Sequence, residues 1–239
     1  MAVRHGAYDP EVATILLHPL PLDGSAWDSV AEQCAGDVEV VPSLYHLGET
    51  LREWASAVLD LMATGSHTVI GNSVGASCAA EIAYLAPDRV DRLVLVGGKL
   101  GHRPEPNLRD EAVRTLLEEG VEPAWATYWR PLFGPEADCD LIDTAQQRAI
   151  ALGVDDIVRG VRAFHGRTDR SDLCDRWRGR LDVVSGAQDR SPSVAAASTA
   201  LHHAAEGQLH VLDGIGHYVP LEAPGPLAGI INRGAVHRL

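Results

Sequence analysis

The chain is poor in lysine and in basic residues as a whole. Its 239 residues contain a single lysine, Lys99, and 33 acidic residues outnumber 20 basic ones, which gives a formal net charge of −13. Proteins that bind nucleic acids or anionic membrane surfaces neutralise phosphates with clusters of lysine and arginine. The composition therefore predicts neither nucleic acid nor membrane as a partner.

The sequence also lacks a long apolar run and a cysteine cluster. No segment approaches the ~20 apolar residues of a membrane-spanning helix, and residues 1–10 lack the apolar stretch of a signal peptide. We therefore expect a soluble, cytoplasmic protein. The four cysteines, at positions 34, 78, 139 and 174, show no C-x-x-C spacing, which favours buried, reduced thiols over a metal site.

Short apolar runs alternate with amphipathic stretches in the first and last parts of the chain. This alternation predicts an α/β fold with a mostly parallel sheet and helices on both faces. The predicted strands are 12–17, 38–41, 68–71, 92–96, 181–185 and 208–212. The predicted helices between and after them are 25–34 (with Ser25 as its cap), 50–62, 74–86, 191–205 and 221–233.

The middle of the chain breaks this alternation. Residues 99–180 contain four stretches with helical spacing and no apolar run of strand type. We therefore predict a core domain formed by 1–98 and 181–239. The helical segment 99–180 is predicted to be a small cap, inserted before the strand 181–185.

The motif that carries chemistry is Gly71-Asn72-Ser73-Val74-Gly75, which matches G-x-S-x-G. The pattern alone is weak, but it lies between a predicted strand and a predicted helix, the context that a nucleophile elbow requires. Such a turn holds its serine in a strained backbone conformation, and side chains two residues before and after it would collide. The pattern therefore predicts Ser73 as a catalytic nucleophile.

A serine hydroxyl needs a base to remove its proton, and the base needs an acid to fix its tautomer. His217 follows the last predicted strand in a glycine-containing loop, and Asp189 follows the strand 181–185. The chain order Ser73, Asp189, His217 is the order expected of a serine hydrolase on an α/β sheet. Asp213 is a second candidate for the acid, less favoured because it directly abuts the strand 208–212.

Acyl transfer also needs two N–H donors for the developing oxyanion. Val74, directly after the nucleophile, is predicted to supply one of them. The loop after the first strand should supply the other, and there Pro19 and Pro21 have no N–H. Leu20, which lies between them, is therefore the predicted second donor.

These residues resemble the α/β-hydrolase superfamily over nearly the whole chain, from Leu16-Leu17-His18 through the 71–75 motif to Gly216-His217. The short N-terminus and the four-helix cap are similar to carboxylesterases of the pimeloyl-acyl-carrier-protein methyl ester esterase type. The resemblance implies the α/β-hydrolase fold. Two positions depart from it: Pro19 and Ala76 stand where family members usually or often have glycine, which affects the expected loop shape but not the three catalytic candidates.

The predicted function is a serine hydrolase that cleaves a carboxylic ester, thioester or lactone of a small molecule, chemistry that needs no metal or organic cofactor. Two alternatives stay open. Asn72-Ser73 is also similar to the elbow of carbon–carbon bond hydrolases, so a carbon–carbon hydrolase or lyase that uses the same three residues is one alternative. The other is a non-catalytic binding protein of a biosynthetic pathway, because one fold can host many functions. Either a monomer or a homodimer is compatible with the sequence.

Four residues are predicted to contact the substrate: Asn72 beside the nucleophile, and the aromatic residues Trp125, Trp129 and Phe133 of the cap. Packing of the cap onto the core is an equally good explanation of the three aromatic residues, as is bonding within the elbow for Asn72. Lys99 lies where the cap begins. Its position favours a solvated side chain over one that contacts an acidic substrate.

Overall fold

The computed structural model describes residues 13–235, with side chains through Arg233, and its centre is a six-stranded sheet. The strands are β1 (Thr14–Leu17), β2 (Val38–Val40), β3 (His67–Asn72), β4 (Val90–Val96), β5 (Arg180–Gly186) and β6 (Glu206–Leu212). The α-helices are α1 (Asp28–Ala31), α2 (Leu51–Leu61), α3 (Val74–Leu85), α4 (Pro106–Glu118), α5 (Val121–Ala124), α6 (Cys139–Leu152), α7 (Val154–His165), α8 (Leu173–Arg176), α9 (Val194–Ser198), α10 (Val219–Glu222) and α11 (Pro224–Ala235).

The strand order is β2-β1-β3-β4-β5-β6, and every neighbouring pair is parallel. All six predicted strands are present, with ends that differ from the prediction by no more than two residues. The predicted α/β fold with a parallel sheet is therefore confirmed. Because the strands are parallel, their carboxyl ends meet at one edge of the sheet, where side chains from distant parts of the chain come together.

Helices cover both faces of the sheet. Alternate strand residues point to opposite sides, so Val69 packs in the apolar cluster that includes α2 and α3, while Ile70 packs with α1 and α11. The central strand β3 is buried along its whole length, with Val69 and Ile70 at its middle and the polar residues His67, Thr68 and Asn72 at its ends.

Three predicted helices differ from the structure. The predicted helix 221–233 is divided into α10 and α11, with Ala223 between them. Residues 25–34 form a 3₁₀ turn (Gly24–Trp27) followed by α1, and its cap is Asp23, whose carboxylate accepts the Ser25 N–H at 3.0 Å. The prediction of Ser25 as the cap was wrong. The segment 191–205 begins its helix only at Val194, because Ser193 is extended and caps the helix: its hydroxyl accepts the Ala196 N–H at 3.3 Å.

Residues 97–179, between β4 and β5, contain helices α4 to α8 and no strand. Their division from the rest as a separate cap domain stays a prediction, and its outer limits 1–12 and 236–239 lie outside the described residues. The segment is tied to the core by a buried ion pair: Arg170 donates to both carboxylate oxygens of Glu81 on α3, at 2.6 and 2.8 Å. Trp177 adds a hydrogen bond from its indole N–H to the Val90 carbonyl at 2.6 Å.

The cysteines are all unpaired, as expected, but only Cys78 and Cys174 are buried; Cys34 is partly buried and Cys139 is exposed. Within residues 13–235, no helix has the length and apolar character needed to cross a membrane.

The Arg170–Glu81 pair gives a test of how the helical segment is held to the core. Arg170→Met leaves the Glu81 carboxylate buried without its bidentate partner, so the free energy of unfolding in urea is expected to fall by about 3 kcal/mol. Arg176→Met is the matched control, since Arg176 is exposed and stacks on the same ring, Tyr84, as Arg170 does. Equal losses in the two variants would contradict a specific role for the buried pair.

Candidate active site

Ser73 occupies a sharp turn between β3 and α3. Its φ of 57° and ψ of −116° make it the only non-glycine residue with positive φ in the part of the chain that the structure describes. A Cβ on Gly71 would run into the backbone of Gly75, and one on Gly75 would meet the carbonyls of Leu17 and His18. The two glycines of the motif are thus required by the close approach of α3 to β1 and β3.

His217 lies opposite, in the loop between β6 and α10, with its ring buried against Asp189 from the loop after β5. The His217 Nδ1 to Asp189 Oδ2 distance is 2.9 Å. The Asp189 carboxylate accepts a hydrogen bond here, so Nδ1 carries the hydrogen and Nε2 is left as the basic nitrogen. Asp213, the other candidate for the acid, is exposed, and no hydrogen bond joins it to His217.

The Ser73 side chain and His217 line the same cavity, but no hydrogen bond joins the Ser73 hydroxyl to the His217 ring in this structure. The two residues are brought together by the cavity that both of them line. Contacts between a catalytic hydroxyl and its base are commonly long before substrate binds.

The loop that carries His217 is held by Glu222 of α10. One Glu222 carboxylate oxygen accepts the N–H groups of Gly134 and Gly216, at 2.8 and 2.9 Å, and the other accepts that of Tyr218 at 3.1 Å. The His217 N–H itself donates to the Leu132 carbonyl at 2.9 Å. The helical segment between β4 and β5 therefore fixes the His217 backbone directly.

Asn72, the last residue of β3, also holds the His217 loop by hydrogen bonds. Its side-chain amide is fully buried and donates to the carbonyls of Val96 and His217, at 3.0 and 3.1 Å. Asn72 lines neither cavity at Ser73. The structure thus gives Asn72 the bonding role that the sequence left as the alternative to substrate contact.

The loop after β1 is pinned at three points. Leu44 N–H donates to His18 Nε2 at 2.7 Å, Tyr218 donates its hydroxyl to the Leu20 carbonyl at 3.2 Å, and Tyr45 donates to the Leu22 carbonyl at 2.7 Å. Burial raises the pKa of the Tyr218 and Tyr45 hydroxyls, so both remain protonated donors. This leaves the Leu20 amide next to the cavity that Ser73 lines.

The two predicted oxyanion donors have no acceptor among residues 13–235. Among the described residues the Leu20 N–H makes no hydrogen bond. Val74 is the first residue of α3, where a helical N–H has no carbonyl one turn earlier to bind. Leu20 lines the smaller cavity at Ser73, and Val74 directly follows Ser73 at the start of α3, so both unpaired amides lie close to the serine.

His18 is a buried, uncharged residue. Because Nε2 accepts the Leu44 N–H, the proton must be on Nδ1, which donates to the Pro19 carbonyl at 3.1 Å. Loss of solvent on burial lowers the pKa of His18 from its ordinary 6.5 to about 4. The histidine before Pro19 therefore shapes the loop as a neutral ring.

Two cavities meet at Ser73. The smaller, of about 170 Å³, is mainly apolar and is lined by Trp129 and by Leu20, Leu108, Ala112, Tyr128, Leu132 and Val161, among others. The larger, of about 320 Å³, carries several cationic side chains. Ser73, Glu105, Phe164, His165 and Ser191 line both. Such volumes fit a small molecule.

Of the aromatic residues predicted to contact substrate, only Trp129 lines a cavity at Ser73. Trp125 is completely buried, and Phe133 packs between the rings of Tyr218 and Trp125, with centroids 4.6 and 6.0 Å away. Trp125 and Phe133 therefore have packing roles, because they hold the helical segment on the His217 loop.

Sequence reasoning missed Glu222, Tyr218 and Tyr45 as positioning residues. Nothing in the local pattern distinguishes Glu222 from a surface carboxylate, since its partners come from the His217 loop and from the distant Gly134.

Among residues 13–235, no group of three or more His, Cys, Asp or Glu side chains is arranged to bind a metal ion.

Comparison with known proteins agrees with the fold. Residues 14–230 match the model of the alpha/beta hydrolase family. Similar structures include a thermophilic esterase from Thermogutta terrifontis in a malate-bound form (21% identity, 94% of this chain and 89% of that chain, TM-score 0.83) and an enol-lactonase from Burkholderia xenovorans LB400 (17%, 96% and 92%, 0.78). MenH from S. aureus is also similar (16%, 92% and 90%, TM-score 0.79).

The buried His18 predicts a pH dependence of stability. The unfolded chain takes up a proton on this ring below pH 6.5, whereas the folded chain does so only near pH 4. The contribution of His18 to the free energy of unfolding is therefore fully present above pH 6.5. It is lost as the pH falls towards about 4, and the loss amounts to about 3 kcal/mol in all.

Urea unfolding at about pH 7 and about pH 4.5 measures this loss. His18→Asn removes the titrating ring, so the variant should be less stable at neutral pH but should lose less stability on acidification than the wild type. Identical pH dependence in both proteins would show that another group accounts for the acid sensitivity.

Proposed function

The chain belongs to the alpha/beta hydrolase family, and we propose that it is a serine hydrolase that cleaves a carboxylic ester, a thioester or a lactone of a small molecule. One observation carries the proposal: a buried His217–Asp189 pair shares a cavity with a serine at a strained turn before a helix. A base with a fixed tautomer beside a hydroxyl is the requirement for an activated serine.

In the proposed reaction the Ser73 oxygen attacks the substrate carbonyl carbon while His217 Nε2 accepts the hydroxyl proton. The carbonyl π electrons move to oxygen, and the Leu20 and Val74 amides donate hydrogen bonds to that oxyanion. Its collapse breaks the bond to the leaving oxygen or sulfur, which takes the proton from His217 and departs. The product of this half-reaction is an acyl ester on Ser73.

Water completes the cycle. His217 Nε2 accepts a proton from the water as its oxygen attacks the acyl carbon, and the second tetrahedral intermediate expels the Ser73 oxygen, which recovers the proton. Asp189 orients the imidazole and stabilises its positive charge in both halves. The carboxylic acid is released, and the protein returns to its starting state.

The likeness to an esterase and an enol-lactonase supports ester or lactone cleavage. We also propose that residues 99–180 act as a cap that selects the substrate. Trp129, Phe164 and His165 from this segment line the cavity next to Ser73, so a bound molecule would contact both the sheet edge and the helices. Trp129 then lies in the apolar part of the substrate site.

Covalent labelling with a fluorophosphonate probe tests the activated serine. The wild-type protein should gain one adduct, located on Ser73 by peptide mass mapping, because the probe reacts with hydroxyls that a base has activated. Ser73→Ala and His217→Ala should both lose it. Absence of any adduct on folded wild-type protein would favour a binding protein without catalysis.

Steady-state kinetics on a 4-nitrophenyl ester test the proposed roles of Ser73 and Asp189. Ser73→Ala should lower kcat by about 10⁶, and Asp189→Asn by roughly 10⁴, because the amide favours the wrong tautomer of His217. Asp213→Asn is the matched control and should retain the wild-type kcat, since Asp213 is exposed. Turnover of vinylogous diketones but not of esters would support the carbon–carbon hydrolase instead.

A further inference from the structure

We infer that the larger cavity at Ser73 binds an anionic group on the acyl part of the substrate, so that the preferred substrates are esters whose acyl chain carries a carboxylate. The inference rests on the proposed hydrolase function and adds the class of substrate. It depends on four cationic side chains around this cavity: Lys99, Arg103, Arg167 and Arg190.

These cations lack carboxylate partners. Among the described residues, none of the four takes part in an ion pair, whereas Arg92, Arg159, Arg170 and Arg180 elsewhere are paired with Asp or Glu. Glu105 is the one carboxylate that lines the cavity. Glu105 and Asp169 are close enough to raise the pKa of Arg167 against the larger, lowering effect of burial, but neither forms an ion pair with it. With four cations and one lining carboxylate, the cavity carries a surplus of positive charge.

The location of this charge is unusual for the chain. In a protein of net charge −13, a dissolved anion is repelled on average, and a local group of cations is needed to attract it. The only lysine and three of the arginines lie around one cavity, which opens at the nucleophile.

Arg167 is held ready for such a ligand. Its guanidinium stacks on the Phe164 ring, 3.8 Å from the centroid, and Nη1 donates to the Phe164 carbonyl. Its Nε–H is buried and has no acceptor among the described residues. Burial lowers the pKa of Arg167 to about 10, which still leaves it charged at neutral pH. The stacked, charged guanidinium therefore stands at the cavity with a fixed orientation, and a bound anion would interact favourably with its charge.

The position of His217 shows which part of the substrate reaches the cations. In the proposed reaction His217 protonates the leaving group, and His217 lines the smaller, apolar cavity but not the larger one. The leaving alcohol or thiol therefore lies towards the apolar side. The acyl chain is then directed past Ser73 into the cationic cavity.

Substrate selectivity tests the inference. The ratio of kcat/KM for the 4-nitrophenyl monoester of glutaric acid to that for 4-nitrophenyl valerate compares an anionic with a neutral acyl chain of equal length. Lys99→Gln and Arg190→Gln, both at exposed positions, should each lower this ratio at least tenfold, mainly through KM. Arg162→Gln is the matched control: it is exposed on α7, outside both cavities, and should leave the ratio and the rates unchanged.

Two results would overturn the inference that the larger cavity binds an anionic acyl chain. An unchanged ratio in Lys99→Gln and Arg190→Gln would show that the cations do not contact the acyl chain. If the variants instead lose selectivity for 4-carboxyphenyl valerate over 4-acetylphenyl valerate, the anion belongs to the leaving group. Ser73-dependent hydrolysis of 4-nitrophenyl valerate in either case would leave the proposed hydrolase function intact.

A binding measurement separates this inference from the reaction itself. Glutarate, the product of the anionic ester, should bind to the Ser73→Ala protein in isothermal titration calorimetry, and Arg190→Gln in that background should weaken it at least tenfold. If no ester is turned over but glutarate binds in this way, the hydrolase function fails and the anion site stands. If glutarate does not bind, the anion site fails.

Discussion

The close approach of helix α3 to strands β1 and β3 is the constraint on which the site depends. Gly71 and Gly75 allow this approach because a Cβ at either position would collide with backbone. The tight turn between them forces Ser73 to a positive φ, which costs about 1–3 kcal/mol and persists only because the surrounding structure determines it. In return, the serine side chain stands at the carboxyl edge of the sheet and the Val74 amide is left free.

His217, Asp189 and Leu20 lie on loops, and buried hydrogen bonds hold those loops in place. Glu222 accepts three backbone N–H groups from two separate segments, and Asn72 donates to the backbone of His217. Tyr218 links the His217 loop to the loop of Leu20. Each of these bonds is modest by itself, but a buried group left without its partner costs considerably more, so the network favours one arrangement.

Electrostatics divide the site into two regions. Burial holds His18 neutral in the loop after β1, and apolar side chains line the smaller cavity at Ser73, while cations without ion-pair partners among the described residues surround the larger one. The acidic charge of the remaining surface accentuates this contrast. The same helical segment, between β4 and β5, contributes to both cavities, so its packing on the core through Arg170 and Glu81 bears on the shape of the whole site.

The sequence by itself determined the sheet, the order of its strands along the chain and the elbow at Ser73, because these follow from local patterns of apolar residues and glycine. Proline chemistry also singled out Leu20 as the amide available in its loop. Only the tertiary structure decided which carboxylate lies against His217, since Asp189 and Asp213 both follow strands. Only the tertiary structure shows that Trp125 is packed in the core and that Asn72 donates to the His217 carbonyl. It alone groups Lys99 with Arg167 and Arg190, because those contacts join segments far apart in the chain.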